Sequence, residues 1–360
     1  MLTLLMTEWL LLVLLVPAIV VPVVLLLGFA GCDEVFGLDR IEEPEPAPVI
    51  ESATGKSLGV ITLTWVIDPT ATEIEFERTK VNPMGPSGPP YRFSVTASLA
   101  SHDDDAALEP ATTYTYTAKA KFADGDLSLS SAPVTGTTLP PPTFDAAGAG
   151  GSGSGTNTAT ATWPHTATAD STAVVVVGMR WAHRGGFLPP SGSPTRTATY
   201  GGNPMTSLGV VGLNNAALTA INGTFIYHEF FGLLNPPAGE QPVAVTVERA
   251  GAASITVEGC SVSYIAVSAF GAVTANAGTE AGTALSQTVI SAVNELVVQM
   301  FTTASAAITN YNQTLRFTGM ANGVGIVIGD APGSASVPIT AQRADGVDYA
   351  ALALRLTPIL

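Results

Sequence analysis

Apolar and polar residues alternate along most of the chain beyond residue 47. The stretch "GVITLTWVI" around Trp65 does so at the two-residue period of a half-buried strand. From about Ala159 to Pro358 similar runs recur between Gly, Pro, Asn and Asp clusters, among them "STAVVVVGMRWA", "GTFIYHEFFGLL", "QPVAVTVERA", "SITVEGCSVSYIAVSAF" and "DYAALALRLTP". About ten strands over roughly 200 residues at this spacing predict one antiparallel β-sandwich. No run keeps a 3.6-residue period long enough for a substantial helix, so the predicted class is all-β.

The N-terminus breaks the pattern. Trp9 to Gly31 carry no charge, and this run of 23 residues is long enough for a helix to cross the ~30 Å hydrocarbon of a bilayer. Phe29-Ala30-Gly31-Cys32 resembles the lipobox of bacterial lipoproteins, which implies lipid attachment at Cys32 and removal of residues 1–31. Glu8 stands where a basic start is expected and the apolar run exceeds that of a simple signal peptide, features that suit an uncut membrane anchor. Both readings export the remainder and make membrane lipid a partner through residues 1–32. The acidic, Pro-rich residues 32–46 then act as an extended stalk.

Residues 47–139 form the first predicted folded unit. Leu108, Pro110, Thr112 and Tyr114 match a Leu-x-Pro-x-Thr-x-Tyr corner, followed by Ala118, Ala120, Gly125, Ser128, Ser131, Pro133 and Thr138. On these residues the unit resembles a fibronectin type III domain. The resemblance implies a sandwich in which the Tyr114 ring is buried, its hydroxyl bonds to the backbone just upstream, and Trp65 packs from the opposite sheet.

Residues 140–158, "LPPPTFDAAGAGGSGSGTN" with its flanks, read as a Gly/Ser/Pro linker. The G-x-G-x-x-G at Gly148 to Gly153 lacks the preceding strand and following helix that a nucleotide fold requires. Residues 159–360 then form a jelly-roll-like antiparallel β-sandwich. Through "TYGGNPMT" (199–206), "GLLNPPAG" (232–239) and "SVSY" (261–264) this unit resembles sandwich domains of phage minor tail proteins and bacterial surface proteins. Tyr200 to Asn203 suit a tight hairpin with positive φ, and Asn235-Pro236-Pro237 a rigid turn.

Composition narrows the function. Charge is −15 from 14 basic and 29 acidic residues, with no basic cluster, which argues against a nucleic-acid partner. G-x-S-x-G, H-E-x-x-H and C-x-x-C are all missing, so no catalytic residue, metal site or cofactor is assigned. His165, His183 and His228 with Glu229 read as structural residues, Asp330, Asp345 and Asp348 as turn residues, and Cys260 as a buried free thiol. His102 with Asp103, Asp104 and Asp105 lacks the alternating ligand spacing of a calcium loop. Trp181, Phe187, Tyr200 and Tyr227 are candidate ligand-contact aromatics, because sugar rings stack on such side chains.

The expected protein is therefore membrane-anchored, with its folded domains on the periplasmic or extracellular side. It is non-catalytic and serves adhesion or scaffolding of a surface assembly. Alternatives are an accessory subunit of a larger membrane complex, a virion tail component, and a carbohydrate-binding module.

Overall fold

The computed structural model describes residues 44–81, 88–185, 194–213, 224–278, 283–303, 307–321, 324–343 and 349–359. All regular elements among them are strands. No helix among the described residues is long and apolar enough to cross a membrane. The apolar run, Cys32 and stalk residues 33–43 lie outside them, while the end of the stalk is described and its Glu45 carbonyl accepts from the Leu129 amide at 3.3 Å.

The first unit contains β1 (Val49–Ser57), β2 (Val60–Val66), β3 (Glu73–Lys80), β4 (Tyr91–Thr96), β5 (Ser101–Asp104), β6 (Thr113–Lys121) and β7 (Val134–Thr137). Its sheets run β1-β2-β5 and β4-β3-β6-β7. Strict alternation in β2, β3 and β6 sends Ile61, Leu63, Trp65, Ile74, Phe76, Tyr114 and Tyr116 into one core between the sheets. The Trp65 ring meets the edge of Phe76, with centroids 5.2 Å apart. The amide of Glu109 donates to the Tyr114 hydroxyl at 2.8 Å, closing the tyrosine corner at the place its sequence implied. This sandwich is fibronectin-type-III-like.

The residues expected to be a linker are instead structured. β8 (Thr143–Ala147) and β9 (Gly151–Gly155) pair with opposite halves of β17 (Ala252–Ile265). Their glycines reflect crowding rather than freedom: a Cβ on Gly153 would come within 1.9 Å of the Thr160 carbonyl oxygen. Gly and Ser here let a strand run close against its neighbour.

The single sandwich expected over residues 159–360 is two. One adds β10 (Thr158–Ala167), β11 (Val174–Gly185), β12 (Thr195–Tyr200), β13 (Asn203–Pro204), β14 (Thr206–Leu213), β15 (Thr224–Leu234) and β16 (Gly239–Glu248) to β8, β9 and β17. The other holds β18 (Val267–Gly278), β19 (Ala284–Val289), β20 (Leu296–Thr303), β21 (Ile308–Thr309), β22 (Thr314–Ala321), β23 (Val324–Pro332), β24 (Val337–Arg343) and β25 (Tyr349–Pro358). The larger sheets run β14-β15-β11-β17-β8, with β9 also on β17, and β22-β23-β20-β25-β18. The smaller ones run β10-β16-β12-β13 and β19-β24-β21.

These are the same topology twice. Replacing β10, β11, β12, β14, β15, β16 and β17 by β19, β20, β21, β22, β23, β24 and β25 converts one set of sheets into the other, save for the two-residue β13, which has no counterpart. The interrupted β8/β9 edge corresponds to β18, which carries a register shift between Phe270 and Val273. The sequence keeps a faint trace of the repeat in "VTVERA" (245–250) and "ITAQRA" (339–344).

The four sheets stack in layers with three cores between them. Trp163, Val175, Val177, Met179, Trp181, Tyr200 and Val245 fill the first sandwich, and Leu285, Val297, Phe301, Ile339 and Ala353 the second. Between the two larger sheets lie Val174, Val176, Phe230, Cys260 and Val262 from one unit, and Val298, Met300, Ile328, Leu352 and Leu354 from the other. Because β11, β20 and β25 are buried on both faces, long stretches of them read as continuous apolar runs, which hides the boundary between the units.

Candidate functional site

The expected hairpin at Tyr200 to Asn203 forms, with φ of 55° at Gly201 and 80° at Gly202, and Asn235 also has positive φ. Its aromatic is not a ligand platform. Tyr200 is fully buried, accepting from the Ala167 amide and donating to the Gly239 carbonyl at 3.2 Å each. Trp181 is also fully buried, because it shares the inward parity of Val175, Val177 and Met179 on β11. The half-buried Tyr227 stacks on it nearly parallel at 4.2 Å, with His183 continuing the stack at 5.8 Å from Trp181. Two of the four candidate aromatics are thus core and one closes the end of that core; Phe187 lies outside the described residues.

Adjacent titratable residues point to opposite faces of their strands, which disperses the clusters that the sequence displays. His228 faces the second unit, where Nδ1 lies 2.6 Å from the Thr302 hydroxyl; burial and the neighbouring Arg180 hold it well below its ordinary pKa. Glu229 faces the first core and accepts from Arg196 Nε at 2.6 Å and from the Ser207 hydroxyl at 2.5 Å. Asp103 faces out to Lys56 and Thr62, whereas Asp104 faces in, accepting both from Arg78 Nη1 (2.8 and 2.7 Å) and from the Tyr116 hydroxyl (2.8 Å). Neither pair can converge on one ligand.

Asp330 is a buried member of β23 rather than a turn residue, and it accepts from Arg316 Nε at 2.6 Å and from the Tyr264 hydroxyl at 3.1 Å. Tyr264 comes from the first unit and Arg316 from the second, so this bond, like His228 with Thr302, crosses between the repeated units. Arg316 also lies 4.1 Å over the ring of Phe144. Asp345 and Asp348 fall outside the described residues. Cys260 is a free, buried thiol whose pKa is pushed up by burial, as its apolar strand context suggested.

The remaining buried histidines are tied into structure. Nδ1 of His165 lies 3.0 Å from the Ser261 hydroxyl, which also accepts from Trp163 Nε1 at 2.9 Å. Burial lowers His165 to about 4. His183 is lowered to about 4 by burial and by Arg249, whose Nη1 is 2.6 Å from its Nε2. Among the described residues no group of three or more His, Cys, Asp or Glu could hold a metal ion.

Two concavities stand out. One, of about 250 Å³, lies between the repeated units and is walled by Ala149 to Ser152, Glu258 and Phe317. Its carboxylate is matched by Arg180 at 3.3 Å. The Gly-rich motif therefore serves as a wall of the unit interface. The other, of about 530 Å³, lies on the fibronectin-like unit over Glu75, Glu77, Arg92, Thr117, Lys119 and Leu127, and is a shallow, mixed-charge groove.

No protein-family profile and no curated protein matches the chain. Similar solved structures include the FN5 domain of Drosophila Lar, at 21% identity over 27% of this chain and 98% of that one, with a TM-score of 0.23. They also include the fn3 domain of human collagen alpha-1(XX), at 18% identity over 29% of this chain and 93% of that one, with a TM-score of 0.24. The FN1–FN3 fragment of chicken CNTN1 is 14% identical over 58% of this chain and 64% of that fragment, with a TM-score of 0.25. Similarity at that level carries no argument. The fibronectin-like character of residues 49–137 rests on its own strand order and tyrosine corner.

Proposed function

We propose that the chain is a membrane-anchored, exported, non-catalytic binding or scaffolding protein, in which the fibronectin-like unit acts as a spacer and the doubled sandwich as the head. The observation that carries this reading is the sequence of construction. An uncharged 23-residue run and an acidic, Pro-rich stalk lead into consecutive β-sandwiches. The buried ion pairs Arg78–Asp104 and Arg180–Glu258 and the partly buried Arg316–Asp330 hold strands and units together. Rigid sandwiches of this kind present loops and faces to partners.

Its partners are proteins of a surface or membrane assembly, and its folded part lies on the periplasmic or extracellular side. Cross-linking on intact cells followed by detergent extraction tests this. Recovery of surface or integral membrane proteins with the full chain, lost when residues 1–43 are removed, supports the reading. Equal recovery of cytoplasmic partners without those residues refutes it.

A further inference from the structure

The end of the fibronectin-like unit at which the chain enters is apolar. Val49 and Val66 are cross-strand partners there. The Trp65 amide donates to the Ala100 carbonyl, Ala97 to Thr72, and Thr72 to Lys121, which bridges to Leu127. These contacts gather Val49, Val66, Leu99 and Leu127 at one pole, with 60%, 56%, 50% and 46% of their surface exposed. The opposite pole, where the Leu58 amide donates to the Ile359 carbonyl, faces the doubled sandwich. Scattered exposed aliphatics need no explanation, but four large ones at one end of a domain mark an interaction surface.

The covalent path identifies what covers it. Pro44 leads into β1 at this pole, and eleven residues, 33–43, separate it from Cys32 at the end of the uncharged run. Fully extended they span about 40 Å at most, at roughly 3.5 Å per residue, so the stalk lets the pole reach the bilayer that holds the run. Around the aliphatics stand Asp68, Glu73, Asp124 and Asp126 against Lys121, an acidic rim that favours zwitterionic over anionic headgroups. We infer that this pole sits in the interfacial layer of the membrane, with Val49, Val66, Leu99 and Leu127 among the headgroups. The domain then stands upright on the bilayer and directs the doubled sandwich away from it. This orientation rests on the proposed membrane anchoring.

The test is spin-label depth measurement on the full chain in phosphatidylcholine vesicles. Labels are placed at Val66→Cys and Leu99→Cys, with Val81→Cys at the opposite pole as reference. Buried Cys260 takes up no label in the folded protein, and any Cys32 signal is subtracted using the unsubstituted chain. The expected result is that labels at 66 and 99 collide more often with oxygen than with a water-soluble nickel relaxant, with the reverse at 81. Water-like accessibility at 66 and 99 overturns the inference, and so does shielding from both reagents, which would mean that protein covers the pole. Failure of the full chain to float with the vesicles refutes the anchoring itself.

Discussion

Met300→Ala tests whether the repeated sandwiches are one cooperative body. Met300 lies in the second sandwich, fully buried against Val176, Phe230 and Cys260 of the first. Its sulfur sits where a Cβ on Gly178 would come within 2.6 Å, so the facing strands are already in close contact and have little room to collapse into a void. Truncating a buried Met costs about 2–5 kcal/mol, and the fixed walls here favour roughly 3 kcal/mol or more. With an m-value on the order of 3 kcal/mol/M in urea for a body of this size, the midpoint falls by about 1 M. The four tryptophans lie at positions 9, 65, 163 and 181, none of them in the second sandwich. In a Trp9→Phe, Trp65→Phe background, fluorescence therefore reports the first sandwich alone. If the shared core couples the units, Met300→Ala moves that signal by the full amount. An unmoved fluorescence transition alongside a separate, shifted circular-dichroism transition would refute a shared core.

Asp104→Asn leaves buried Arg78 without its counter-charge and should cost about 3–5 kcal/mol. Asp103→Asn breaks only an exposed pair with Lys56 and should cost under ~1 kcal/mol, a contrast that denaturant melts of the two variants will measure. Gly153→Ala, neutral in a true linker, should destabilise by about 1–3 kcal/mol because its Cβ meets the Thr160 carbonyl. Folding lowers His165 and His183 to about 4, so the unfolded chain takes up protons first. Stability is accordingly full above pH ~6.5 and falls as pH drops toward 4, by up to roughly 3 kcal/mol per histidine, and His165→Gln should flatten that slope in melts at stepped pH. Cys260 should react with a thiol reagent only at the rate of unfolding, as a stopped assay with and without urea will show.

Period-two alternation was enough to read the all-β class, and the tyrosine corner was legible because Tyr114 and its upstream backbone lie within five residues. Two things were hidden, each for a physical reason. β9 is written in Gly and Ser because it runs tight against β10, and that composition is also the signature of a linker. The second sandwich boundary vanished because sheets buried on both faces lose their polar positions. Trp181 and Tyr200 could have been placed in the core by parity with their valine and alanine neighbours, a signal that aromatic content alone overrides. His228–Glu229 and Asp103–Asp104 look like sites in sequence, but strand geometry turns neighbouring side chains to opposite faces.

The most direct test of a membrane-held display protein is fractionation of the full chain from its native membrane. The full chain should stay with the membrane through alkaline carbonate washing and come free only in detergent, while the chain beginning at residue 44 should be soluble and keep the β-sheet circular-dichroism signature of the sandwiches. A full chain recovered in the soluble fraction, with residues 1–43 intact, would contradict it.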